Sequence, residues 1–303
     1  MGTIFNLQQI INGLQVGSIY ALIALGYTMV YGIVRLINFA HGDFFMLGAY
    51  AAYGAFYLFN TWLSKGSGIM AFVVLVAAMA AGGAIALLSD RFAYRPLRYK
   101  PKLSALITAI GVSMFLEYFF SALPAIGPSF RAFPTILPKA QIAIGSATIS
   151  NYVIIDLSVA AVLMIGLTFL VRKSSLGKAM RAVSEDKDAA KLMGIDVEKV
   201  IGWTFLIGGA FAGAAGLLSG MTYPRIFPYM GIQPGLKAFI AAVLGGIGNI
   251  PGAVLGAYIM GLAEVFASAY NSLLGEGIAF AILILVLLVR PRGILGEKTA
   301  DKI

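Results

Sequence analysis

The sequence predicts an all-α, polytopic integral membrane protein, and three observations carry that prediction. Hydrophobic residues fill 60% of the 303 positions and charged ones only 12%, against roughly 25% charged in an ordinary soluble domain. Apolar runs of about 20 residues, the length that crosses a hydrocarbon core of roughly 30 Å, recur along the whole chain. The runs are continuous rather than alternating, so each satisfies its own backbone hydrogen bonds as a helix, and strands are the weaker alternative.

Taken in order, the runs lie near 9 to 34, 37 to 59, 69 to 89, 103 to 123, 151 to 171, 201 to 222, 235 to 248, 252 to 270 and 276 to 290. Arg35 is the first Lys or Arg. The first run therefore lacks the basic lead of a secretory signal and is expected to stay on as the first span. A polar island from 172 to 200 separates the fifth run from the sixth. The seventh and eighth are the least regular, because Gly245-Gly246-Ile247-Gly248-Asn249-Ile250-Pro251-Gly252 interrupts them. Broken or re-entrant segments near a substrate path are a recognised transporter device. The expectation is eight or nine crossings in one transmembrane domain, 1–303, with no soluble domain at either end.

Orientation follows from the basic residues behind the net charge of +9. Arg91, Arg95, Arg98, Lys100 and Lys102 crowd one loop; Arg172, Lys173, Lys178, Arg181, Lys187, Lys191 and Lys199 lie in the island; Arg290, Arg292, Lys298 and Lys302 close the chain. The positive-inside rule assigns all three clusters to the cytoplasm; parity counted back from Arg91 puts the N-terminus outside, and the C-terminus is inside only if residues 235 to 270 cross twice or not at all. Such a charge excess is topology and no sign of nucleic-acid binding. The absence of cysteine excludes disulfides and thiolate metal sites, and the single histidine, His41, excludes a His-based metal cluster.

An echo within the chain suggests duplication. Leu47-Gly48-Ala49-Tyr50 follows Asn38-Phe39-Ala40-His41-Gly42, and Leu255-Gly256-Ala257-Tyr258 follows Asn249-Ile250-Pro251-Gly252. As equivalent breaks in two related halves they would mark a midplane site. Asn38, Gly42, Gly245, Gly246, Gly248 and Asn249 are accordingly the candidates for a broken-helix path.

Charges in a span are costly, about 2.5–3.5 kcal/mol on insertion scales, so each one inside a run calls for a role. Asp156 lies near a span's outer end and reads as structural or interfacial. Glu117 and Glu264 lie deeper, and either a helix-packing ion pair or a translocation role suits them. His41 and Asp43 follow the Arg35 turn and are expected near the cytoplasmic face, as helix-end hydrogen-bonding groups or as the lining of a gate. The loop from Tyr223 to Tyr229 faces outward by parity, as an interfacial aromatic anchor or as a contact for a delivery protein.

The polar island carries a short amphipathic helix. Ser184 can cap its N-terminus, Glu185 and Asp186 complement the positive end of its dipole, and Gly194 supplies the left-handed residue that ends it after about three turns. Ala189, Leu192 and Met193 fall on one face, Lys187 and Lys191 on another. An isolated helix this short normally needs a packing partner. From spacing alone, a solvated link between two spans is the other reading.

Asp188-Ala189-Ala190, with Gly194 after three intervening residues, resembles the cytoplasmic "EAA" loop of ATP-binding-cassette importer permeases, with Asp in place of the motif's Glu. The resemblance extends over nearly the whole chain. Gly17-Ser18-Ile19-Tyr20-Ala21-Leu22, Gly26-Tyr27-Thr28-Met29-Val30-Tyr31-Gly32, Ile37-Asn38-Phe39-Ala40-His41-Gly42-Asp43, Arg91-Phe92-Ala93-Tyr94-Arg95-Pro96-Leu97-Arg98, Lys237-Ala238-Phe239 through Pro251-Gly252-Ala253, and Arg290-Pro291-Arg292-Gly293-Ile294-Leu295-Gly296 are similar to the branched-chain amino acid permeases, specifically the first permease subunit of the high-affinity leucine, isoleucine and valine uptake system. It is weakest from Pro124 to Ser150.

This resemblance implies a multi-pass subunit of the bacterial cytoplasmic membrane. It would pair with a second permease subunit and two ABC ATPase subunits, and receive its amino acid from an extracytoplasmic substrate-binding protein. The island helix, from Ser184 through Gly194, would be the coupling helix. Related permeases serve urea, short amides or other amino acids, so the substrate is implied by similarity alone. No cofactor is expected, ATP being hydrolysed by the partner subunits: the sequence has no Gly-x-x-x-x-Gly-Lys-Ser/Thr loop, and so no P-loop nucleotide site of its own. Two other classes stand beside this reading. A stand-alone proton-coupled carrier would need Glu117 or Glu264 as a relay, and an intramembrane enzyme would need a Ser/His or paired-Asp constellation that the spans do not display.

Overall fold

In the computed structural model, which describes residues 7–98, 100–144 and 147–296, the apolar runs are helices and the charges gather at one end of the bundle. The helices are α1 Leu7–Val34, α2 His41–Phe59, α3 Gly68–Ser89, α4 Lys102–Ala122, α5 Asn151–Lys173, α6 Ser175–Glu185, α7 Lys187–Leu192, α8 Val197–Thr222, α9 Ile232–Gly245, α10 Ile250–Tyr270 and α11 Ser272–Val289. Among the described residues, seven segments are long and apolar enough to cross a membrane: α1, Gly68–Leu97, Leu103–Ala122, α5, α8, α10 and α11. The two remaining apolar helices are α2, of 19 residues, and α9, of 14. With both counted, nine apolar helices run through the bundle among the described residues, two of them beginning part-way.

One end of the bundle is basic. The Arg35 guanidinium donates to the Ser184 carbonyl oxygen at 3.3 Å, Lys187 Nζ donates to the Val34 carbonyl oxygen, and Arg98 pairs with both Asp90 and Glu198. Arg95 joins Glu198 at 2.8 Å, which ties the first basic loop to the start of α8. The chain's end folds back here as well, Ile294 and Leu295 donating their N–H groups to the carbonyls of Leu244 and Gly245. Lys298 and Lys302 lie outside the described residues.

The opposite end carries the segment between α4 and α5. Its short strands β1 (Arg131–Ala132), β2 (Gln141–Ile144) and β3 (Ala147–Ser150) are two separate pieces: β2 pairs antiparallel with β3, and β1 pairs antiparallel with β4 (Arg225–Ile226) in the loop after α8. Asp156 belongs to this end. Its Oδ2 accepts from Gln15 at 2.7 Å and from Thr222 at 2.9 Å, binding α5 to α1 and α8 in the structural role expected of it.

Two long interfaces organise the core: α1 runs along α10, and α3 runs along α8. Small residues permit the approach, Gly13 and Gly17 of α1 lying against Leu262 and Tyr258, and Gly82 of α3 against Gly209 and Gly213, as expected where lipid supplies no hydrophobic drive between helices. Each long helix is followed by a break and then by a helix that starts inside the bundle. The succession α1, break, α2, α3 recurs as α8, break, α9, α10 with the opposite sense, the pattern of an inverted repeat.

This repeat corrects the alignment suggested by the echo. The break at 35–40 corresponds to the loop at 223–231, whereas Gly245 to Gly252 is a tight turn between α9 and α10. The matched Leu-Gly-Ala-Tyr segments sit in α2 and α10, where Gly48 meets Gly213 and Gly256 meets Ala241. Their likeness reflects a shared need for small residues at helix contacts.

Candidate translocation site and coupling face

After α1 the chain turns at Arg35, whose φ is +59°, and climbs back along the bundle before α2 begins. His41, the first residue of α2, packs its ring on Tyr27 with centroids 4.5 Å apart, and a Cβ on Gly26 would collide with it. Gly26 and Tyr27 stand about 10–12 Å above the basic end of α1 at 1.5 Å per residue. His41, Gly42 and Asp43 are therefore deep in the bundle, which corrects their expected position near the cytoplasmic face. Six extended residues reach about 20 Å, ample for the climb.

Asn38 holds this break in shape. Its side-chain oxygen accepts from the Ala40 N–H at 3.1 Å and from the Tyr94 hydroxyl at 2.7 Å. Tyr94 lies in a π-helical segment, Asp90–Tyr94, that continues α3.

The second break arrives from the other side. After α8 the loop carrying β4 turns inward, with Ile226, Pro228 and Met230 buried, and α9 starts at Ile232 against the start of α2. Gly42 and Gly231 touch through their backbones, and the Cα of Gly235 lies beside Gly42 with the Tyr27 hydroxyl close by. Two helix N-termini thus meet inside the bundle.

Beside that meeting point is a cavity of about 230 Å³, whose walls include Tyr27, Gly42, Asp43, Ser113, Glu117 and Gly235. Asp43 is 2% exposed and Glu117 8%. The Asp43 carboxyl faces the Ser113 hydroxyl and the Glu117 carboxyl, and its Oδ2 is buried without a hydrogen-bond partner.

Other sequence candidates lie elsewhere. Glu264 Oε1 accepts from Lys237 Nζ at 2.7 Å and its Oε2 from the Tyr20 hydroxyl at 2.8 Å, a buried ion pair joining α10 to α9 and α1. Lys237, which pairs with Glu264, is a charge outside the candidates drawn from the sequence. Its place amid apolar residues at Leu236, Ala238 and Phe239 was the available signal. Gly245, Gly246, Gly248 and Asn249 stand at the basic end rather than at mid-depth. Gly246 and Gly248 have φ of +107° and +97°, Gly248 lies near Gly32, and Asn249 caps α10 through Gly252 while its amide donates to the Leu295 carbonyl oxygen.

The polar island folds as two helices where one was expected. α6 is capped by Ser174 and buries Gly177, Met180 and Val183. Ser184 lies in its last turn, the hydroxyl donating to the Arg181 carbonyl oxygen at 2.7 Å. The cap of α7 is Asp186, which accepts from the Asp188 and Ala189 N–H groups. The expected Ser184 cap is thus displaced by two residues, because the amphipathic run from Leu176 to Val183 extends α6 through Glu185. Gly194, with φ +82°, ends the unit as expected.

Only Ala190 of α7 is buried. Leu192 and Met193 are 89% and 83% exposed, and Ala189, Glu185 and Asp188 are exposed with them. The basic end therefore presents an apolar step with no partner within the described chain. Beside it, burial, Arg98 and Arg35 together hold the Lys187 ammonium below its usual pKa, and a cavity of about 390 Å³ opens among Arg35, Arg98, Lys100 and Lys187.

Comparison with known proteins places the whole bundle. Residues 9–287 match the family model described as branched-chain amino acid transport system / permease component. The chain belongs to this permease family. It is 44% identical to the high-affinity branched-chain amino acid transport system permease protein LivH of Escherichia coli K12, over 99% of this chain and 98% of that one. It is 43% identical to the corresponding permease BraD of Pseudomonas aeruginosa, over 98% of both chains. A probable branched-chain amino acid transport permease of Methanocaldococcus jannaschii is 30% identical over 92% of this chain and 89% of its own.

Proposed function

We propose that this chain is a permease subunit of an ATP-binding-cassette importer that carries branched-chain amino acids across the cytoplasmic membrane. The family and the names of its relatives support the substrate class. A second permease subunit completes the pathway, two ATPase subunits at the basic, cytoplasmic end drive it, and an extracytoplasmic binding protein feeds it from the other side.

The observation that carries the reading is α7. A helix of six residues is too short to stand alone in water, yet this one is capped by Asp186, closed by Gly194 and turned with Leu192 and Met193 to solvent. It suits a groove on an ATPase subunit. Closure of the ATPases on ATP would move α7, and α6 would pass the movement to α1 and α8, which it packs against. The path for the amino acid runs past the meeting of α2 and α9, beside α4.

Of the two relays a proton-coupled carrier would use, Glu264 is engaged by Lys237 and Tyr20, which leaves that reading Glu117 alone. Purification of the tagged chain from its native host in a mild detergent, with mass spectrometry of what accompanies it, tests the proposal. Two ATPase chains and a second permease are expected. Recovery of this chain alone, repeated after crosslinking in intact membranes, contradicts it.

A further inference from the structure

The Asp43 and Glu117 carboxyls pose a physical problem in the chain itself. They lie side by side in the wall of the 230 Å³ cavity, both buried, and among the described residues neither takes part in an ion pair. Two carboxylates in one site cannot both stay ionised without a cation between them. The Asp43 Oδ2 is buried with no hydrogen-bond partner, beside the Glu117 carboxyl. A single shared proton leaves the pair with one net negative charge and an acceptor surface turned to the cavity.

A primary ammonium group fits that surface. It brings one positive charge and three N–H donors, neutralising the singly protonated pair without any proton having to leave. The surroundings suit the rest of an apolar amino acid: Phe39, Ile110, Met114 and Leu236 line the same cavity, and α9 begins there at Ile232, a helix N-terminus being favourable to a carboxylate. Glycines at 42, 231 and 235 leave the wall between the two helix starts as bare backbone.

We propose that Asp43 and Glu117 together form the point at which the α-ammonium group of the transported amino acid is held on its way through the membrane. This rests on the importer reading above and assigns that importer an internal contact with its substrate, separate from selection by the binding protein.

The test uses the complete importer, both permease subunits with ATPases and binding protein, in proteoliposomes loaded with ATP, with leucine uptake as readout. Asp43→Asn/Glu117→Gln keeps size and hydrogen bonding but removes all charge from the pair. Losing a charge-assisted contact worth about 1.5–3 kcal/mol lowers uptake roughly 10- to 100-fold, with assembly and thermal stability as in the wild type. Glu117→Gln alone leaves the Asp43 charge, with an amide donor in place of the shared proton, and loses less than the double variant. Wild-type uptake by the double variant overturns the proposal. So does a loss of uptake matched by a fall in thermal stability, which makes the pair a packing contact between α2 and α4. Absence of ATP-driven leucine uptake by the wild-type assembly would instead count against the importer reading itself.

Discussion

Gly42 and Gly231 touch backbone to backbone, at the only kind of residue that lets two helix starts meet this closely. A Cβ on either would run into the carbonyl group of the other. The contact joins the two interrupted elements of the inverted repeat, and both glycines line the cavity beside it.

Gly42→Ala and Gly231→Ala are each expected to cost about 1–3 kcal/mol, the usual penalty of forcing an extra methyl into a packed site. Uptake should fall more than stability does, because the methyl pushes the starts of α2 and α9 apart on the proposed path. Thermal unfolding in detergent alongside reconstituted uptake reads both effects. Unchanged values for both variants would mean that the two helices do not meet.

Leu192→Asp should leave insertion and thermal stability untouched, since its side chain is 89% exposed, and still abolish substrate-stimulated ATP hydrolysis in the assembled importer. Gly194→Val should do likewise, at a local cost of about 1–3 kcal/mol for holding a β-branched residue at positive φ. Normal stimulation in both variants would remove α7 from the coupling path.

The two candidate caps give opposite expectations. Asp186→Ala removes the acceptor for two N–H groups and should cost about 1 kcal/mol, seen as faster hydrogen exchange across residues 187–193. Ser184→Ala loses only a bond to the Arg181 carbonyl and should leave that exchange unchanged.

Breaking the buried pair by Glu264→Gln leaves Lys237 uncompensated and should destabilise by about 3–5 kcal/mol. Lys237→Met/Glu264→Leu should recover much of that loss, apolar replacement of a buried pair being often neutral or better. A double variant that regains stability and transports confirms a packing role. Persistent loss of transport at regained stability points to a role in the path.

Much of the fold could be read from the chain. The apolar runs announced the helices, the basic clusters announced the common end, and Asp188-Ala189-Ala190 with Gly194 announced the short helix α7. What stayed hidden were depths and partners. Nothing in the run from Arg35 to Asp43 states how far the chain climbs back, because that distance is set by Tyr27 of α1 and by Gly231 just before α9. Glu264 shows no neighbour of opposite charge in its own helix, and Lys237, which answers it, belongs to α9. Ser184 and Asp186 are equally good caps in isolation, and only the length of α6 decides between them. The Asp43–Glu117 pair was visible as two costly charges, but 74 residues separate them along the sequence, and the fold alone brings them together.

The most direct test of the central claim is leucine uptake into proteoliposomes containing this chain, its second permease and the two ATPases, with the binding protein supplied at the opposite face. Uptake that requires ATP, persists when an ionophore collapses the proton gradient, and disappears with Leu192→Asp is the predicted result. Uptake by this chain alone, driven by a proton gradient and indifferent to ATP, would contradict it.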